Sequence, residues 1–115
     1  MGLGRVVRNK NGDLIGIVEE KEATDVQRKI KEVNDGLYVF ERDWLLKNLT
    51  RVKKSPISQE YYLVDLVGIA LKDKKKVVVY RLKDPNEWFG INTREELAAA
   101  DKKMRKRIER ILNEK

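Results

Sequence analysis

The chain has 115 residues and a formal charge of +7, because 26 lysines and arginines outnumber 19 aspartates and glutamates. This length fits a single domain over residues 1–115, and the absence of an apolar leader or of a run of about 18 apolar residues predicts a cytoplasmic location. The sequence contains no cysteine and no histidine, which excludes disulfides, thiol nucleophiles, histidine bases and Cys/His metal sites.

The first part of the chain predicts a β-hairpin, a short helix and a third strand. Arg5–Arg8 and Leu14–Glu20 read as strands, and the polar turn between them has an Asn-Gly pair at its centre. Thr24 or Asp25 can cap one or two helical turns. Leu37–Phe40 is apolar or aromatic throughout, which indicates a strand covered on both faces.

The second part predicts two medium helices, a further strand and a long final helix. Asp43–Val52 and Tyr61–Lys72 carry apolar residues at helical spacing, and Lys75–Leu82 is built on a run of valines. Thr93 and Glu96 form a capping box that opens the final helix. Strands alternating with helices indicate an α/β fold with a mixed sheet of about four strands.

Basic residues gather in two places, which raises nucleic-acid binding as one interpretation. One cluster is Lys72, Lys74, Lys75 and Lys76, and the other lies on the final helix. No aromatic residue is interleaved with either cluster, and acidic residues dilute the helix. A charged, solvated face is the commoner cause of such a pattern, so nucleic acid ranks behind the other readings.

The stretch KEVNDGLYVF places three turn-forming residues against a strand-like run. Asn34, Asp35 and Gly36 form either a hairpin turn or the point where a strand delivers polar and backbone groups to a site. Upstream, Glu19 and Glu20 are adjacent, so on a strand they point to opposite faces and cannot act as a carboxylate pair. One of the two is expected on the site face and the other in solvent.

Three segments together resemble one enzyme family. GRVVRNKNGDLIGIVEEKEATDVQRKIKEVNDGLYVF, QEYYLVDLVGIAL and FGINTREELAAAD are similar, in this order, to motifs of the uridyltransferase domain of the bacterial bifunctional N-acetylglucosamine-1-phosphate uridyltransferase/glucosamine-1-phosphate acetyltransferase. Differences include Leu3 for the family tyrosine, Asp35 for threonine, and Gln59 and Val64 in the second motif. The resemblance implies a partial Rossmann-like nucleotide-sugar transferase fold.

The resemblance also implies roles for particular residues. Asn34 would contact the bound N-acetylglucosamine, and Gly36 would leave room for its approach. The backbone of Gly4 would line the nucleotide-sugar cleft, and Glu19 would accept hydrogen bonds from sugar hydroxyls. Asn92 would ligate the Mg²⁺ that bridges the phosphates. From the residues alone, the favoured interpretations are a strand-entry glycine at Gly4, a solvated charge at Glu19 and a helix N-cap at Asn92.

The family motifs for the nucleotide are missing from these 115 residues. They include the triphosphate loop, a lysine, the uracil-binding segment and the aspartate that is the second Mg²⁺ ligand. The resemblance therefore implies the carboxyl-terminal, sugar-binding half of the domain, inactive by itself. Expected partners are a sugar phosphate or nucleotide sugar, a chain that supplies the missing half, and a second copy in a homodimer. A structural or oligomerising module without ligand is the alternative.

Overall fold

The computed structural model describes residues 2–114. Within them the chain forms two compact units, one extending to Tyr80 and the other beginning at Arg81. The regular elements of the first unit are β1 (Arg5–Arg8), β2 (Leu14–Val18), α1 (Asp25–Arg28), α2 (Arg42–Asn48) and α3 (Asp65–Lys72). The second unit holds α4 (Arg94–Asn113). That residues 1–115 together form a single domain stays a prediction.

The hairpin of β1 and β2 forms where the sequence predicts it. The strands are antiparallel, with Val6 opposite Ile17 and an irregularity after Val7. The Asn9 side chain closes the turn, since its Oδ1 accepts hydrogen bonds from the Asn11 and Asp13 amides, each 2.9 Å long. The Asn-Gly pair, Asn11-Gly12, lies in this turn as predicted, with Gly12 at a φ of +88°, which glycine adopts without steric cost.

A short extended stretch joins the free side of β1. The amide of Val6 donates to the Glu32 carbonyl at 3.0 Å, and the amide of Asn34 donates to the Gly4 carbonyl at 2.9 Å. Between them, Arg5 and Val33 form an isolated antiparallel bridge. This pairing brings residue 34 beside residue 4, although the two lie 30 positions apart in sequence.

The core of the first unit is small and centred on α3. This helix packs against β2, and α2 packs against α3. Leu66 is the one large side chain among the described residues that is fully buried. The other buried apolar residues in the described part of the chain are Val6, Ala23, Val64, Val67 and Ala70.

The predicted Rossmann-like mixed sheet of about four strands is wrong. In residues 2–114 the only sheet is the two-stranded pair β1–β2. Leu37–Phe40 and Lys75–Leu82 are not strands, and Leu37 and Val39 are 81% and 96% exposed. Their β-branched and aromatic composition is typical of strands, but a strand also needs a neighbour for its backbone groups, and none of the described segments supplies one.

Two helix boundaries and one strand boundary also differ from those predicted. The helix expected from Tyr61 begins at Asp65, because Tyr61 lies in an extended bridge with Lys54. The helix expected to run to Val52 ends at Asn48 and continues as a 3₁₀ turn, Leu49–Arg51. Strand β2 ends at Val18, short of the Glu20 predicted, because a 3₁₀ turn over Glu20–Glu22 follows it.

The second unit is dominated by α4. Thr93 caps this helix: its Oγ1 accepts from the Glu96 amide at 3.1 Å, while Glu96 Oε2 accepts from the Thr93 amide at 3.0 Å. The predicted capping box is thus confirmed. Lys103 lies over the Phe89 ring, 4.2 Å from its centroid, and donates to Asn86 Oδ1 at 3.0 Å. No helix in residues 2–114 has the length and apolarity needed to cross a membrane.

Candidate functional site

Three of the residues singled out from the sequence meet at the open end of the hairpin. Gly4 precedes β1, Glu19 follows β2, and Asn34 ends the stretch bonded to β1. A Cβ atom placed on Gly4 would lie 3.4 Å from Glu19 Oε1 and 3.5 Å from Asn34 Cβ. The absence of a side chain at Gly4 therefore leaves room for about one methyl group between the Glu19 carboxylate and the Asn34 side chain.

Asn34 and Asp35 each close a side-chain turn with the amide two residues further on, and no hairpin forms there. Asn34 Oδ1 accepts from the Gly36 amide at 3.4 Å, and Asp35 Oδ1 accepts from the Leu37 amide at 3.0 Å. Gly36 has a φ of +83°, which glycine adopts without steric cost. The chain leaves this turn as an unpaired extended segment, so the turn presents Asn34 beside Gly4 and does not connect two paired strands.

The Glu19 carboxylate lies in an unfavourable electrostatic environment. Partial burial raises its pKa, and the nearby negative charges of Asp65 and Glu60 raise the pKa further. Among residues 2–114 it makes no hydrogen bond or ion pair. Its neighbour Glu20, expected in solvent, is half-buried and pairs with Arg5 at 2.9 Å. A carboxylate with a raised pKa and no donor is a candidate for ligand binding.

Glu19 also lines a shallow, open cleft of about 340 Å³. Other side chains of the cleft are Glu22, Lys53, Lys54, Tyr62 and Asp65. Burial raises the pKa of Asp65, with a further contribution from Glu22. The sequence does not predict these residues as a group, because distant parts of the chain bring them together: Ser55 donates to Glu22 at 2.6 Å across 33 positions, and α3, which carries Asp65, packs on β2. No local pattern signals contacts between residues so far apart.

Replacing Glu19 with glutamine should stabilise the protein near neutral pH. Because the folded-state pKa of Glu19 is raised, its ionisation disfavours folding as the pH rises from the unfolded value through the folded one. The thermal midpoint of Glu19→Gln should therefore exceed that of the unchanged chain at about pH 7, and the difference should vanish at about pH 3. Thermal unfolding followed by circular dichroism measures both.

The matched control for this test is Glu95→Gln on α4, an exposed carboxylate in the first turn of that helix. There the loss of charge weakens a favourable interaction with the helix dipole, so the midpoint should fall slightly or stay the same. A lower midpoint for Glu19→Gln at neutral pH would contradict the account of Glu19.

Asn92 lies in the second unit, immediately before the capping box. Its amide donates to Glu96 Oε2 at 2.7 Å, and Thr93 occupies the N-cap position. Asn92 is therefore not the N-cap. In residues 2–114 no group of three or more acidic side chains is arranged to hold a metal ion. One neutral asparagine does not make a Mg²⁺ site, so the described residues do not fit this ion by themselves.

Comparison with known proteins identifies relatives of nearly the whole chain. Over 107 residues, 93% of the chain, it is 46% identical to the bifunctional protein GlmU of Streptococcus pyogenes serotype M49. Over the same length it is 43% identical to the protein of that name from Streptococcus gordonii and 45% identical to that from S. pyogenes serotype M12. The chain spans only 23% to 26% of these relatives' lengths. No protein-family model matches it.

Proposed function

Because this chain is homologous over most of its length to a segment of the bifunctional protein GlmU, we propose that it is the sugar-binding part of a sugar-1-phosphate uridyltransferase. In the full reaction, N-acetylglucosamine-1-phosphate attacks the α-phosphorus of UTP, which gives UDP-N-acetylglucosamine and releases diphosphate. The contribution of this chain is to hold the sugar phosphate in position for that attack. The observation that carries the proposal is the convergence of Gly4, Glu19 and Asn34.

The chemistry of this site suits a sugar. Glu19 lacks a hydrogen-bond donor in the described part of the chain and is partly buried, so a sugar hydroxyl that donates to it offsets its desolvation. Asn34 offers amide hydrogens and a carbonyl oxygen to neighbouring hydroxyl or acetamido groups. Lys53 and Lys54 line the same cleft and offer positive charge to a phosphate on the sugar.

The nucleotide half of the reaction requires groups from another chain segment. Mg²⁺ is the proposed cofactor of such a completed domain, with Asn92 as one of its ligands. The proposed partners are the sugar phosphate, the segment that supplies the triphosphate loop, and a second copy of this chain.

The isolated chain should not transfer uridylyl groups. With UTP, Mg²⁺ and N-acetylglucosamine-1-phosphate, the yield of UDP-sugar should equal that of a protein-free reaction, because the triphosphate loop, its lysine and the acidic metal ligand are not in this sequence. Chromatography of the reaction mixture measures the product. Turnover above background that Asn92→Ala abolishes would show that these residues suffice, and would contradict the proposal.

Binding of the sugar phosphate tests the site directly. N-acetylglucosamine-1-phosphate should shift the amide resonances of Gly4, Glu19 and Asn34, with a Kd of about 1 mM or weaker because part of the enclosing surface is missing. Gly4→Ala should weaken binding at least about tenfold, equivalent to about 1.4 kcal/mol. The added methyl group meets ordinary contact distances, so the fold is preserved while the space is filled.

The control substitution is Gly16→Ala in β2, where an added Cβ meets nothing within 4 Å. It should bind as the unchanged chain does. Shifts confined to the basic cluster Lys72–Lys76 would instead indicate nonspecific attraction of phosphate, and equal affinity in Gly4→Ala would remove the site from consideration.

A further inference from the structure

We propose that Tyr38 is a positioning residue for sugar recognition, holding the Asn34 carboxamide in the orientation that meets the ligand. The inference rests on the proposed function and extends it to a residue outside the converging set. Asn34 Nδ2 donates to the Tyr38 hydroxyl at 2.5 Å, four residues further along the chain. This is the one side-chain partner of that nitrogen among the described residues.

The hydrogen bonds of Asn34 determine which end of its amide faces which way. Oδ1 accepts from the Gly36 amide at 3.4 Å, and Nδ2 donates to Tyr38. After a half-turn of the carboxamide the Tyr38 hydroxyl could still donate to the oxygen, but an NH₂ group would meet the Gly36 N–H, so the Gly36 contact selects the observed orientation and the Tyr38 contact holds it. The backbone is held as well, through the bond from the Asn34 amide to the Gly4 carbonyl. One Nδ2 hydrogen and one Oδ1 lone pair remain for a ligand.

Tyr38 is itself held in place. Its ring stacks on Phe40 with centroids 5.8 Å apart, and Phe40 stacks on Trp44 of α2 at 6.1 Å. The backbone between the two residues is shaped by the positive φ of Gly36 and by the bond from the Leu37 amide to Asp35 Oδ1, and the Tyr38 hydroxyl reaches Asn34 Nδ2. Desolvation raises the pKa of Tyr38 despite the opposing effect of the bond from Asn34, and Glu19 and Asp35 raise it further. The phenol is therefore neutral near pH 7.

Tyr38 also lies near Glu19, the second side chain that is proposed to bind the sugar. The Glu19 charge acts on the Tyr38 hydroxyl, and Glu19 Oε1 and Asn34 Cβ both lie beside Gly4. Tyr38 thus lies close to both residues that are proposed to bind the sugar, Glu19 and Asn34. Losing its hydroxyl would leave every backbone contact in place but release the Asn34 side chain.

Tyr38→Phe removes only this oxygen and keeps the ring stack. In the full 115-residue chain, the side-chain NH₂ resonances of Asn34 (identified by their loss in Asn34→Asp) should move toward the positions of a freely rotating amide. The affinity for N-acetylglucosamine-1-phosphate should fall about fivefold to tenfold, the usual range for one neutral hydrogen bond. Tyr80→Phe, which removes an exposed hydroxyl, should change neither.

The outcomes separate the two claims. Unmoved Asn34 side-chain resonances in Tyr38→Phe, or moved resonances with unchanged affinity, would overturn the role of Tyr38 while the sugar site stands. No response of the unchanged chain to the sugar phosphate would overturn the proposed function, and with it the role of Tyr38 in recognition. Moved resonances together with the fall in affinity support both.

Discussion

Replacing Leu66 with alanine should lower the thermal midpoint of the first unit by about 12–24 °C. Leu66 is 0% exposed and lies on α3, which packs against β2. Deleting a buried leucine side chain costs about 3 kcal/mol, because the transfer of apolar atoms and the cavity left behind both count. In a unit of this size each 1 kcal/mol corresponds to roughly 4–8 °C.

The loss should be severe because little else is buried. The other buried apolar side chains among residues 2–114 belong to valines and alanines, and typical domains are stable by only about 5–15 kcal/mol. Leu46→Ala on α2, where the side chain is 57% exposed, is the matched control and should cost less than about 1 kcal/mol. Thermal unfolding of the unchanged chain and of the two variants, followed by circular dichroism, measures the difference in midpoint. Equal midpoints for both variants would show that α3 is not the centre of the core.

The second large effect is self-association through the two extended segments. Val39 and Val78 are 96% and 76% exposed, and their segments have no strand partner among residues 2–114. Exposed apolar surface and unpaired backbone groups invite pairing with another chain. The charge of +7 opposes this, but screening at physiological salt limits repulsion to about 8 Å. We expect a symmetric dimer, measured by light scattering after size exclusion.

Substitution by lysine tests where the copies meet. Val39→Lys with Val78→Lys should return the protein to a monomer, because each copy would bring buried charges to the contact. Val26→Lys provides the control, since it adds the same charge at a valine on α1 that is 76% exposed, and it should leave the dimer intact. A mass of 13.5 kDa at every concentration of the unchanged chain would rule out the dimer.

Sequence patterns predicted the elements whose signals are local. The Asn9 turn and the Thr93 capping box are complete within five residues, and each forms as expected. The run Leu37–Phe40 has the composition of a strand, yet its conformation depends on a neighbour that composition does not reveal. The prediction that a helix begins at Tyr61 is wrong for a related reason, because Tyr61 pairs with Lys54, a residue that the helical pattern does not include.

The residues of the candidate site likewise fall into those that the sequence predicted and those that it did not. The resemblance selected Gly4, Glu19 and Asn34, and the pairing of residues 32–34 with β1 brings them together. Glu22, Asp65 and the lysines of the cleft were not predicted, since only the packing of α3 on β2 brings them near Glu19. Tyr38 was not predicted as a site residue, because Leu37–Phe40 was predicted to be a strand covered on both faces, in which the Tyr38 hydroxyl would not reach Asn34.

The exposure of α4 has a consequence for how its sequence can change. None of its described residues is buried, so its helicity depends on the capping box and on pairs such as Arg105–Asp101 at 2.8 Å. Charge pairs of this kind contribute about 0.2–0.5 kcal/mol each, and a helix with few tertiary contacts melts gradually as a helix–coil equilibrium. Substitutions along α4 should therefore act in small, nearly independent steps, which lets this helix drift much further than α3 before its conformation is lost.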